Sequence, residues 1–144
     1  MDSKKSRANK RKGASFEIDL EKYFRWTAPV CAYQQSTSRL ARAGKLDRGD
    51  IALQLNSLSD IPVTLVIEAK NAAKFTPSEW VDEAKKEAEN YRISLNSRDP
   101  GLISPVVIAK RRNKPLAKAF VIMELDEFSK LVTMGKERND EEKE

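Results

Sequence analysis

Pro62-Val63-Thr64-Leu65-Val66-Ile67-Glu68-Ala69-Lys70 is apolar and rich in β-branched residues for most of its length, and ionic at its far end. That pattern predicts a short buried β-strand. Side chains alternate along a strand, so Glu68 and Lys70 share one side and Ala69 takes the other. A carboxylate and an ammonium at the end of a core strand cost desolvation energy unless the place has a use for them. Upstream, Arg48-Gly49-Asp50-Ile51-Ala52-Leu53-Gln54-Leu55 reads as a second strand, with Ile51, Leu53 and Leu55 on one face and Asp50 on the other. Between them, Asn56 to Ile61 has the composition of a hairpin turn. An antiparallel hairpin puts the start of one strand beside the end of the next, so Asp50, Glu68 and Lys70 are expected to converge.

The whole chain sets limits on what such a place can do. At 144 residues it is long enough for one domain with a real core. The absence of histidine excludes histidine bases, histidine triads and histidine-ligated zinc, and the lone Cys31 excludes an internal disulfide or a cysteine-cluster metal site. Chemistry must come from carboxylates, lysine, hydroxyls and a hard metal ion. No apolar run is long enough to cross a bilayer and no apolar segment follows the basic N-terminus, so a cytoplasmic location is expected, and the short length without added domains suggests a phage, archaeal or bacterial setting.

Net charge is +5 and the pI about 9.3, which favours an anionic partner. Residues 1–12 carry Lys4, Lys5, Arg7, Lys10, Arg11 and Lys12 against Asp2, equal to the whole net charge. Two further basic clusters follow: Arg39, Arg42, Lys45 and Arg48, then Lys110, Arg111, Arg112, Lys114 and Lys118. Basic clusters on both sides of a carboxylate site point to nucleic acid.

In chain order, 1–12 is expected to be a disordered basic tail. A helix follows, from Gly13 or Ala14 to about Trp26, with Phe16, Leu20, Tyr23, Phe24 and Thr27 as its inward stripe and Glu17 at the border. Val30–Gln34 reads as a first strand, and Ser36 to Gly49 as a polar, basic loop. Thr76-Pro77-Ser78-Glu79 is a capping box with proline at the first helical position, opening a helix to about Tyr91 or Arg92. Trp80, Ala84, Ala88 and Tyr91 should face inward, with Glu83 and Glu87 as surface charges. Pro105–Ala109 and Ala119–Met123 read as buried strands, and Asp126 as the cap of a last helix carrying Phe128, Leu131 and Val132. Residues 136–144 should fray, leaving 13–135 as one domain. The class is α/β: a central mixed β-sheet of about five strands flanked by helices.

Asp50 followed by Glu68-x-Lys70 at the end of the next strand resembles the PD-(D/E)xK nuclease superfamily, with Gly49 at the usual prolyl position. Lys12-Gly13-x-x-x-Glu17 and the basic loop after it look like the archaeal-type Holliday junction resolvases, over about Lys12 to Lys74. The resemblance implies a restriction-endonuclease-like core and a homodimeric, metal-dependent endonuclease that cleaves branched DNA. It implies Mg²⁺ or Mn²⁺ on Asp50, Glu68 and the Ala69 backbone carbonyl. Glu17 would either ligate or orient the attacking water, and Lys70 would position that water or stabilise charge at phosphorus. Lys10, Arg11, Lys12, Arg39, Arg42, Lys45, Arg48, Lys110, Arg111 and Arg112 would contact DNA phosphates, with Trp26, Phe75 and Trp80 as candidates for the dimer interface. The family's glutamine on the following helix is missing; Glu79, Glu83 and Glu87 stand there instead. A different nuclease on the same scaffold (flap, single-strand or restriction-like) and a non-catalytic structure-selective DNA-binding module are the other two readings.

Overall fold

The computed structural model describes residues 2–27, 35–39, 49–55, 62–96 and 101–133. They form α1 (Asp2–Thr27), β1 (Gln35–Arg39), β2 (Ile51–Leu55), β3 (Val63–Lys70), α2 (Pro77–Ser94), β4 (Leu102–Ala109), a 3-10 turn at Leu116–Lys118, β5 (Phe120–Ile122) and α3 (Leu125–Thr133). The strands make one mixed sheet in the order β1-β2-β3-β4-β5. β1, β2 and β3 run antiparallel to one another, β3 and β4 run parallel, and β5 returns antiparallel along β4. Two β-hairpin partners can be joined by a tight turn, but a parallel pair needs a crossover, and α2 supplies it.

The alternation read from the sequence divides the sheet into two faces. On one, Phe16 and Leu20 of α1 pack with Ile51, Leu53, Ile67, Val106 and Ile108. On the other, Ala88 and Tyr91 of α2 cover Ala52 and Val66, while Trp80 and Ala84 cover Val107 and Ala109. β3, apolar on both sides, is therefore the middle layer between two helices. Trp80 is 7% exposed and belongs to the core, not to an interface.

Several expectations change. The first helix starts at Asp2, so residues 2–12 are helical where a disordered tail was expected. Lysine, arginine and alanine are good helix formers, and lone Gly13 costs only about 1 kcal/mol. Tyr23 and Thr27 fall on the exposed side, leaving Phe16, Leu20 and Phe24 as the inward stripe. Residues 36–39, expected in a loop, form β1 instead, because their backbone can pair with the open edge of β2. The strand expected at 30–34, the turn at 56–61 and the tail at 136–144 lie outside the described residues.

α2 begins with Pro77 at its start and Glu79 in the first turn, but Thr76 makes no side-chain cap. β5 is an exposed edge strand, with Phe120 44% and Val121 66% exposed. Asp126 sits inside the first turn of α3, its Oδ1 accepting the Glu127 N–H at 2.7 Å, and is not the cap. α3 docks through the Ser104 Oγ–Glu127 hydrogen bond, 3.0 Å, which turns Phe128 and Val132 outward. No helix among the described residues is long and apolar enough to cross a membrane.

Candidate active site

The site forms where β2 begins and β3 ends. Gly49 has φ +86°, and a Cβ there would lie 2.8 Å from Val66 Cγ1. Proline fixes φ near −65° and cannot adopt this geometry, whereas glycine can. The turn delivers Asp50 onto the end of β3. Its N–H donates to the Ile67 carbonyl at 3.0 Å, and its Oδ2 accepts the Ala69 N–H at 2.8 Å. Backbone groups two residues apart face the same edge of a strand, so the Ala69 carbonyl points past the end of β2 on the Asp50 side.

Glu68 and Lys70 share the α2 face, as alternation requires. Lys70 Nζ lies 3.3 Å from Glu68 Oε1 and donates to Glu83 Oε2 at 2.7 Å. Glu17 reaches Asp50 from α1, on the opposite face, and shares a hydrogen bond with it. Asp50 thus stands between Glu17 of α1 and Glu68 of β3. The four residues read from the sequence do come together, around the end of the sheet.

Helix α2 contributes two further carboxylates. Glu87 was expected on the surface and is instead 5% exposed; Glu83 is exposed but paired with Lys70. One carboxylate oxygen from each of Glu68, Glu83 and Glu87 lies within 4.8 Å of the others. The signal was present: Glu87 sits three residues after Ala84 and four before Tyr91, inside the buried stripe of a 3.6-residue repeat.

Crowding of acids sets the electrostatics. Burial first, then the Glu68 charge, pushes the Asp50 carboxyl up to about 8, against the pull of the Ala69 N–H. Burial, then the hydrogen bond and charge of Glu87, pushes Glu68 up to about 9. Burial alone would lower the Lys70 ammonium, but the Glu83 hydrogen bond and the Glu68 and Glu83 charges outweigh it and hold it above the usual lysine value. Ionised carboxylates are costly in such a place until a cation joins them. Among the described residues, Glu68, Glu83 and Glu87 offer the carboxylate oxygens close enough together to share one ion, and all-oxygen donors suit a hard divalent cation.

Just beyond Lys70 a cleft of about 680 Å³ opens between Lys12 of α1, residues 71–73 and the loop 110–114. Lys12, Lys110, Arg111, Arg112 and Lys114 line it, with Asn71 and Asn113 and no carboxylate. The loop is tied to the site by Lys110 N–H donating to the Lys70 carbonyl at 2.8 Å, and the α1 wall by Asn71 Nδ2 donating to the Lys12 carbonyl at 3.4 Å. Arg11 is exposed on α1. Arg42, Lys45 and Arg48 lie outside the described residues, as do the side chains of Lys10 and Arg39. Comparisons with protein-family models, curated proteins and solved structures give no match.

Proposed function

We propose that the chain is a metal-dependent DNA endonuclease with a restriction-endonuclease-like core, cleaving branched DNA in the manner of a Holliday junction resolvase. The observation that carries this reading is the meeting of Asp50 and Glu68 at the end of one hairpin, with Lys70 alongside and a cleft of five cations next door. Phosphodiester hydrolysis needs a positioned water, relief of negative charge on the phosphoryl group, and help for the leaving oxygen.

Asp50, Glu68 and the Ala69 carbonyl would hold Mg²⁺ or Mn²⁺. The ion supplies Lewis acidity at the phosphate and lowers the pKa of water. Glu17, hydrogen-bonded to Asp50, completes the ligand set or orients the attacking water. Lys70, kept as ammonium between Glu68 and Glu83, faces the developing charge on the phosphoryl oxygens and fixes the nucleophile's approach. The cations of the cleft neutralise the backbone of the bound strand.

Symmetric cutting of a four-way junction requires two sites related by a two-fold axis, so the working form is a homodimer. Trp26, 81% exposed, is the most exposed large apolar side chain of α1 among the described residues and is available to such an interface. Asp50→Ala or Lys70→Ala, with unchanged circular dichroism, should reduce cleavage of branched DNA at least 100-fold, the scale of losing one positioned charge. Cleavage unaffected by both would refute the assignment. A flap or single-strand nuclease on this scaffold is the second reading, favoured by the exposed Phe75 and Phe120 rings next to Arg111 of the cleft.

A further inference from the structure

The basic cleft continues into an aromatic ledge. Arg111, which lines the cleft, lies 4.5 Å above the ring of Phe120. Phe120 stands 6.1 Å, ring to ring, from Phe75, which leans edge-on against buried Trp80 at 5.2 Å. Phe75 is 59% and Phe120 44% exposed, so two aromatic rings reach solvent on the Arg111 side of the cleft. None of the cleft's five cations forms an ion pair among the described residues.

The two halves of this surface do not suit a closed duplex equally. A duplex can offer phosphates to the cleft cations. Paired bases are stacked on each other and present no face to Phe75 or Phe120. An unpaired strand satisfies both halves, with phosphates among the cations and a base on a ring, the combination that single-strand sites use. Asn113, at φ +59°, holds the 110–114 rim in a tight turn, and the stacked Arg111 is oriented before any ligand arrives.

We propose that the cleft and ledge bind an unpaired nucleic-acid strand, so that the strand presented to the carboxylates is single-stranded for one or two nucleotides beside the scissile bond. This rests on the nuclease reading for its consequence, but not for its measurement. Binding is read by fluorescence anisotropy of the full chain in EDTA, where no cutting is needed, with labelled oligo-dT, a blunt duplex of equal length and a fork with an unpaired arm. The strand and the fork should bind at least tenfold more tightly than the duplex. Phe75→Ala and Phe120→Leu should each weaken strand binding about tenfold and leave duplex binding unchanged. Arg112→Glu, at an exposed position, should weaken all three ligands. It should also flatten the log–log salt dependence by about 0.7 for each single-strand phosphate that is no longer neutralised.

Equal affinity for strand and duplex overturns the proposal. So does strand binding unchanged in both aromatic variants while tripolyphosphate competes fully, since the cleft is then a general anion site. A change in oligomeric mass rather than affinity on Phe75→Ala also overturns it and assigns the ledge to a second copy of the chain. Strand preference with no cutting in Mn²⁺ would sink the nuclease reading and leave this inference standing; cutting without strand preference would do the reverse.

Discussion

Asp50 and Glu68 are the residues on which stability and the proposed chemistry oppose each other. Both are raised acids, Asp50 from 3.8 to about 8 and Glu68 from 4.5 to about 9. Between those limits the unfolded chain has released protons that the folded chain still holds, so stability falls as pH rises. The cost is absent below pH about 4 and complete above pH about 9. Asp50→Asn should therefore melt higher than the parent chain in EDTA, by a margin that widens from pH 5 to pH 9 in calorimetric scans. A constant margin would show that the carboxyl is not raised. A divalent ion at 100 times its dissociation constant should restore about 2.7 kcal/mol to the parent chain, seen as a higher melting temperature at pH 8. Asp50→Asn should lose that gain.

At the scale of elements, two glycines carry the geometry. Gly101, at φ +74°, packs so closely that a side chain there would collide with the Pro62 carbonyl, to which Leu102 N–H also donates at 2.9 Å. Gly101→Ala should destabilise by more than about 2 kcal/mol in urea titration, and Gly49→Ala should do the same while also displacing Asp50. Trp80→Ala, emptying the α2–β4 layer, should cost about 3–5 kcal/mol. The β2–β3 hairpin and the inward face of α2 were legible because alternation and helical repeat leave a signature in the residues themselves. α1 before Gly13 was not, since charge density there argued for disorder while propensity argued for helix. β1 was not, because a polar Gln-Ser-Thr-Ser-Arg run becomes a strand only when a neighbouring edge exists to pair with. Glu87 lies within the buried stripe of the α2 repeat, but acids at such positions are usually solvated, and only the fold shows it buried beside Glu68.

The molecule as a whole places one charge sign on each side of Lys70: buried acids toward α2, and a cation cleft along α1 and the 110–114 loop. Binding to any DNA should therefore weaken steeply with salt, and filter-binding titrations should show a log–log slope that falls by about 1 for each of Lys110 and Lys114 replaced by alanine. The symmetric reading requires a two-fold dimer, measurable by light scattering on the free protein. The most direct test of the central claim is a gel assay of four-way, forked and linear DNA of shared sequence with Mg²⁺, Mn²⁺ or EDTA. Cleavage of the branched forms is expected with either ion, none in EDTA, and none by Asp50→Ala. Branched DNA left intact under both ions, or cut equally well by Asp50→Ala, would contradict that claim.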